Sequence, residues 1–162
     1  MTTTSYPDSR PSTGQPYFWA GLLGVLVIIV TTVHHVWGAY LYDTPWRLHI
    51  VFIGVPIAAI FSGLLIYAVP RHGTGAARLA TWLAVILIVG FCTLLLGIYE
   101  GGYNHVLKNI VYFTQGPASW MFPDGVTGIP DDVLFEVTGI AHLPAGILAA
   151  VASWRLLRSQ RW

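Results

Sequence analysis

Six histidines and seven acidic residues carry most of the chemistry this sequence can offer. Imidazoles and carboxylates together make metal sites, bis-imidazole haem sites and proton relays. The nucleophile and phosphate signatures are missing: no GxSxG, P-loop, GxGxxG or HExxH occurs. His72-Gly-Thr-Gly75 reads as a turn. A single cysteine, Cys92, excludes an internal disulfide and any CxxC motif, and reads as a small buried hydrophobe. What chemistry there is rests on where His34, His35, His49, His105, His142, Glu100 and Glu136 are brought together.

The elements that must do this are membrane helices. The chain has 162 residues, of which 55% are hydrophobic and 9% charged, and its mean hydropathy is +0.65. A soluble domain needs a far larger charged fraction, and a disordered chain needs low hydrophobicity. A net charge of +1 gives no argument for nucleic acid. Four stretches lack acids, lysine and arginine: Pro11–Tyr42 (32 residues), Leu48–Pro70 (23), Leu79–Tyr99 (21) and Val137–Trp154 (18). A membrane helix needs about 20 apolar residues, with roughly 17 as a lower limit. Asn109–Pro123 is 15 residues long and is interrupted by Gly116 and Pro117, so it does not qualify.

The expected fold is therefore an all-α integral membrane protein, a four-transmembrane-helix antiparallel bundle. Spans are expected at about 17–42, 45–69, 76–99 and 132–157, within a membrane domain of residues 17–158. Thr44-Pro45 starts the second span tightly after the first. Pro70 and Gly73 break the chain, Gly101-Gly102 should end the third span, and Asp131-Asp132 should open the fourth, which Pro144 kinks. Residues 1–16 and 159–162 read as tails, the first disordered, and the first span as an uncleaved anchor. In the loop expected at 100–131, His105, Lys108, Asn109 and Tyr112 form a polar stripe, which predicts a short amphipathic helix.

Arg10, Arg71, Arg78, Arg155, Arg158 and Arg161 fall on one side of this topology; only Arg47 and Lys108 fall on the other. The positive-inside rule then places both termini in the cytoplasm, and compactness suggests a bacterial inner membrane. All the histidines except His72, and all the acids except Asp8, lie toward the extracytoplasmic face.

Small residues mark the faces through which membrane helices pack. A 3-4 stripe of Gly24, Ile28, Thr31, His35 and Gly38 points His35 inward. Comparable stripes carry His49, Glu100 and His142 on the other three helices. His34 lies about 100° from His35 around the helix and reads, with Glu136 and His105, as a second shell. By helical rise His35 is about 12 Å from Asp43, and His142 about 15 Å from Asp132, whereas His49 and Glu100 are within about one turn of the surface. Two layers follow: a deep His35/His142 pair suited to haem b, and a shallow set suited to iron, copper or zinc.

The functional expectation is a site for haem b or a transition metal, serving redox or electron-transfer chemistry. Two other classes fit the same residues. One is an accessory or assembly subunit of a larger membrane complex, or a homo-oligomer, docking through Tyr112, Phe113, Trp120, Met121 and Phe122. The other is a metal-ion or proton transporter or sensor, which the lack of ionisable residues in the cytoplasmic half disfavours.

Overall fold

The structure is a computed structural model that describes residues 14–122 and 129–160. The tail expectations for residues 1–13 and 161–162 lie outside the described residues, as does the loop acid Asp124. The described chain is helical, with four helices long and apolar enough to cross a membrane: α1 (Gln15–Leu41), α2 (Pro45–Arg71), α3 (Gly75–Gln115) and α4 (Val133–Ser159). They place the protein in a lipid bilayer as a multi-pass protein. Large apolar side chains on their outer faces, such as Phe52 and Ile66, are more than 70% exposed, as lipid contact requires.

Local chemistry sets the ends. Pro16 stands in the first turn of α1, where its missing N–H costs nothing. After Leu41, Asp43 takes a left-handed φ of 49°, and Pro45 begins α2 with a 3₁₀ turn, Pro45–Leu48. A second 3₁₀ turn, Val69–Arg71, closes α2, and Gly73 (φ 87°) lets the chain reverse. Thr74 Oγ1 accepts from the Ala77 amide at 3.2 Å to cap α3, and Asp132 Oδ1 accepts from the Phe135 amide at 2.8 Å to cap α4. Gly116 (φ 79°) ends α3.

The third helix departs from expectation. Gly101-Gly102 does not end it; the helix runs on to Gln115, so residues 100–115 are helix rather than loop. Gly101 serves packing instead: a Cβ there would meet the backbone of His142 and Leu143 on α4. Over Ile88–Leu107 the turns of α3 widen to i→i+5 hydrogen bonding. Such π turns are rare and gather at functional sites.

α4 packs chiefly on the wide-turn part of α3 and on α1, while α2 packs on α1 and on Gly75–Leu87 of α3. Glycine makes the closest approach. A Cβ on Gly146 would lie 2.7 Å from Gly97 Cα, and Thr93 Oγ1 donates to the Gly146 carbonyl at 3.0 Å across the same seam. Between α1 and α2, the fully buried Phe61 ring fills the space over Gly24. An apolar core of Val27, Phe61, Leu65, Ile88 and Cys92 occupies this region. At the end of the molecule near Gln15, Tyr17 Oη donates to Gln160 Oε1 at 3.0 Å and lies 3.3 Å from His72 Nδ1.

Candidate metal centre

Toward the opposite end, near Asp132, the helices meet through imidazoles. On α1 the buried face is Tyr17, Ala20, Gly24, Val27, Ile28, Thr31, His34, His35 and Gly38, which takes in the stripe that the sequence suggests and widens it to His34. His34 is consequently 0% exposed and central, not peripheral; His35, on the flank, is 8% exposed. The reason is that α1 is covered by α2 on one side and α4 on another, so its buried arc takes in both consecutive histidines.

On α3 the wide turns do the positioning. Residues five apart share a face when hydrogen bonds run i→i+5, whereas in an α-helix they diverge. Glu100 and His105 are such a pair: His105 Nε2 is 3.7 Å from Glu100 Oε1. Gly139 of α4 leaves room for the His105 ring, which a Cβ there would overlap.

Four ligand atoms converge. Glu100 Oε1 is 3.4 Å from His34 Nε2, 3.7 Å from His105 Nε2 and 4.0 Å from His35 Nε2, and the two Nε2 atoms of His34 and His105 are 3.2 Å apart. His34, His35 and Glu100 alone offer three ligand atoms that all lie within 4.8 Å of one another. A tetrahedral ion with bonds of 2.0–2.2 Å holds its ligand atoms roughly 3.3–3.6 Å apart.

The tautomers sharpen this. His34 Nδ1 is 3.1 Å from the Phe135 carbonyl, which can only accept, so that nitrogen carries the proton. Thr138 Oγ1 lies at the same 3.1 Å, its own proton directed to the Leu134 carbonyl. His105 Nδ1 donates to Glu136 Oε2 at 3.0 Å, and Asn109 Nδ2 donates to the same oxygen at 2.7 Å. With Nδ1 protonated in both rings, the two Nε2 atoms face each other and the Glu100 carboxylate, a position that a shared proton or a metal ion can occupy. An imidazole N–H committed to a carboxylate or carbonyl is the usual outer support of a metal-bound histidine. Asn104 Nδ2 steadies Glu100 through Oε2 at 2.8 Å. His35 is buried with neither ring nitrogen hydrogen-bonded.

Two expected ligands stand apart. His142 is 0% exposed, but its Nδ1 donates to the Gly139 carbonyl at 3.1 Å and its Nε2 accepts from Thr31 Oγ1 at 2.9 Å. Both nitrogens are occupied, and the ring packs edge-on against His34 at 5.2 Å between centroids. His49 is exposed at the start of α2, where Nδ1 donates to the Trp46 carbonyl at 2.5 Å and the ring stacks on Trp46. The deep-and-shallow layering also gives way, since Glu100 reaches the level of His34 and His35. Glu136 stands beside the cluster, hydrogen-bonded to His105, which itself belongs to it.

The surroundings hold the site in shape. The Phe135 ring stacks on His34 at 4.1 Å and covers Gly38. Above it, outside the helices long enough to span, Tyr42 Oη donates to Asp131 Oδ1 at 2.5 Å; burial and then that carboxylate raise its phenol above the ordinary range. Trp37 Nε1 donates to Asp132 Oδ1 at 2.9 Å. The Phe135 amide, and then this indole, hold the Asp132 carboxyl below its usual range. A pocket of about 410 Å³ opens beside the cluster, reaching His35, Glu100 and His105 from a rim that includes His49, Arg47 and Lys108.

Of the docking residues expected in the long third loop, Met121 and Phe122 turn inward on Val111 and Tyr112, leaving Phe113 and Trp120 more than 70% exposed. Comparison with known proteins finds no matching family, no similar curated protein and no similar solved structure.

Proposed function

We propose that this chain crosses the bilayer as an antiparallel four-helix bundle and holds one transition-metal ion, of the iron, copper or zinc class, at His34, His35 and Glu100, with His105 as a further ligand. The ion serves redox or electron-transfer chemistry near one membrane face. Lys108–Gln115, the last turns of α3, is its amphipathic cover. The observation that carries this reading is the 3.2 Å approach of two Nε2 atoms whose rings have already committed their Nδ1 protons, beside a carboxylate oxygen. Lone pairs so placed repel unless a proton or a metal ion lies between them, and the third imidazole and the carboxylate beside them favour the metal ion. Three imidazoles and a carboxylate suit a borderline metal. A single ion fits these contacts better than haem b, because the His142 nitrogens are engaged.

Access from one side also supports a resident site over a transport path. Beyond Thr31 the interior is filled by Val27, Phe61, Ile88 and Cys92, all fully buried. The exposed Phe113 and Trp120 favour a second, compatible reading, docking to another subunit or a second copy. The arginine distribution supports a cytoplasmic placement of the Gln15 end.

Purified protein in mild detergent, stripped and reloaded with Co(II), should take up about one equivalent with a visible d–d spectrum. His34→Ala and Glu100→Ala should abolish uptake, and His49→Ala should leave it intact. A Soret band that disappears with His142→Ala would replace the ion with haem b. A folded protein that takes up neither would refute both.

A further inference from the structure

α2 still meets α3 where Gly54 faces Phe91; a Cβ at Gly54 would lie 3.6 Å from that ring. Toward the histidines the two helices part, and α2 packs chiefly on Gly75–Leu87 rather than on Ile88–Leu107. The pocket beside Glu100 fills this wedge. Its apolar wall is Trp46, Ile50, Leu95, Leu96 and Tyr99. Trp46, Leu95 and Tyr99 are also exposed on the outside of helices long enough to cross a membrane, so the wedge opens toward lipid.

The polar end of the pocket holds two cations, Arg47 and Lys108, and two carboxylates, Glu100 and Glu136. Among the described residues neither Arg47 nor Lys108 is paired with a carboxylate. Arg47 Nε donates to Thr44 Oγ1 at 3.0 Å, and its guanidinium lies over the rings of Tyr42, Trp46 and Phe135. The two acids of the pocket are engaged elsewhere, Glu100 by Asn104 and the imidazoles, Glu136 by His105 and Asn109. His35, buried and without a hydrogen bond, faces the same space.

We infer that this pocket takes a lipophilic carboxylate from the bilayer, its chain along Ile50, Leu95, Leu96 and Tyr99 and its head between Arg47, Lys108 and His35. Arginine binds a carboxylate through two parallel hydrogen bonds, and lysine adds a compact charge. The apolar wall accounts for the preference for a chain-bearing acid over a small anion. That this is the substrate position beside the ion rests on the metal reading; that the pocket binds such a ligand does not.

The test is quenching of Trp46 by 10-bromodecanoate, in nanodiscs of zwitterionic lipid, read as the difference between the wild type and Trp46→Phe. Saturable quenching is expected, with 10-bromodecanol binding roughly tenfold more weakly for want of a charge. Lys108→Gln should also weaken bromodecanoate binding roughly tenfold. It is a cleaner variant than Arg47→Gln, because Arg47 also packs on three rings. Equal quenching by acid and alcohol, or undiminished quenching in Lys108→Gln, would overturn the inference. So would quenching by brominated phospholipid that bromodecanoate does not displace. Quenching that persists in metal-free His34→Ala protein upholds the pocket whatever becomes of the ion; metal-loaded protein without quenching removes the pocket alone.

Discussion

Around Phe61 and Ile88 the helices meet through apolar side chains set against glycine, while around Glu100 they meet through imidazoles, carboxylates and amides. In a bilayer the first kind of contact gains little from leaving water, because lipid is as apolar as leucine; it holds by close packing. The second kind cannot be left incomplete, since an unmet polar group in hydrocarbon is costly. Nearly every polar atom of the cluster is matched to a partner, yet the two ring nitrogens of His35 are not. The lesson is a division of labour. One half supplies rigidity, and the other gathers the polar groups and leaves one buried imidazole, His35, without a hydrogen bond.

The largest test of that division is at the glycine seam joining the halves. Gly146→Leu pushes a side chain into the Gly97 backbone and should cost about 3 kcal/mol or more, lowering the melting temperature in detergent and disrupting both halves. Phe61→Ala should cost about 2–3 kcal/mol by leaving a cavity, with metal stoichiometry unchanged in the folded protein. If metal uptake falls with it, the halves are not separable. Glu136→Gln should do the converse, weakening metal affinity about 10–100-fold through His105 with little effect on the melting temperature of metal-free protein.

The smallest effect is on acidification. Because the folded protein holds the Asp132 carboxyl below its ordinary value, that group contributes stability at neutral pH, which is lost as the pH falls through the folded-state value. Asp132→Asn keeps the α4 cap and should flatten the acid side of a melting-temperature-against-pH curve. An unchanged acid slope would mean that other carboxylates set it.

The four long apolar helices were legible because charge is absent from each over many residues and because Thr44, Pro45, Gly73 and Asp132 act locally. The run of α3 through Gly101-Gly102 was not, because those glycines answer to α4 rather than to their own helix. Glu100, His105, Glu136 and His35 stood out as ionisable residues near one end. The role of His34 was hidden because one narrow stripe through His35 was read, whereas the buried face takes in both histidines, and Val27, Thr31, His34 and Gly38 carry a 4-3-4 spacing of their own. The closeness of Glu100 to His105 depends on helix geometry that a 3.6-residue period cannot foresee.

That widened stretch of α3 behaves like slack in a wound spring. Removing one residue between Gly97 and Glu100 would turn everything beyond it around the helix axis by one residue's step. The glycine zipper below would stay in mesh while the carboxylate above turned away from its imidazoles. A length change of a single codon would therefore leave the packing in place and dissolve the cluster that we propose holds a cation.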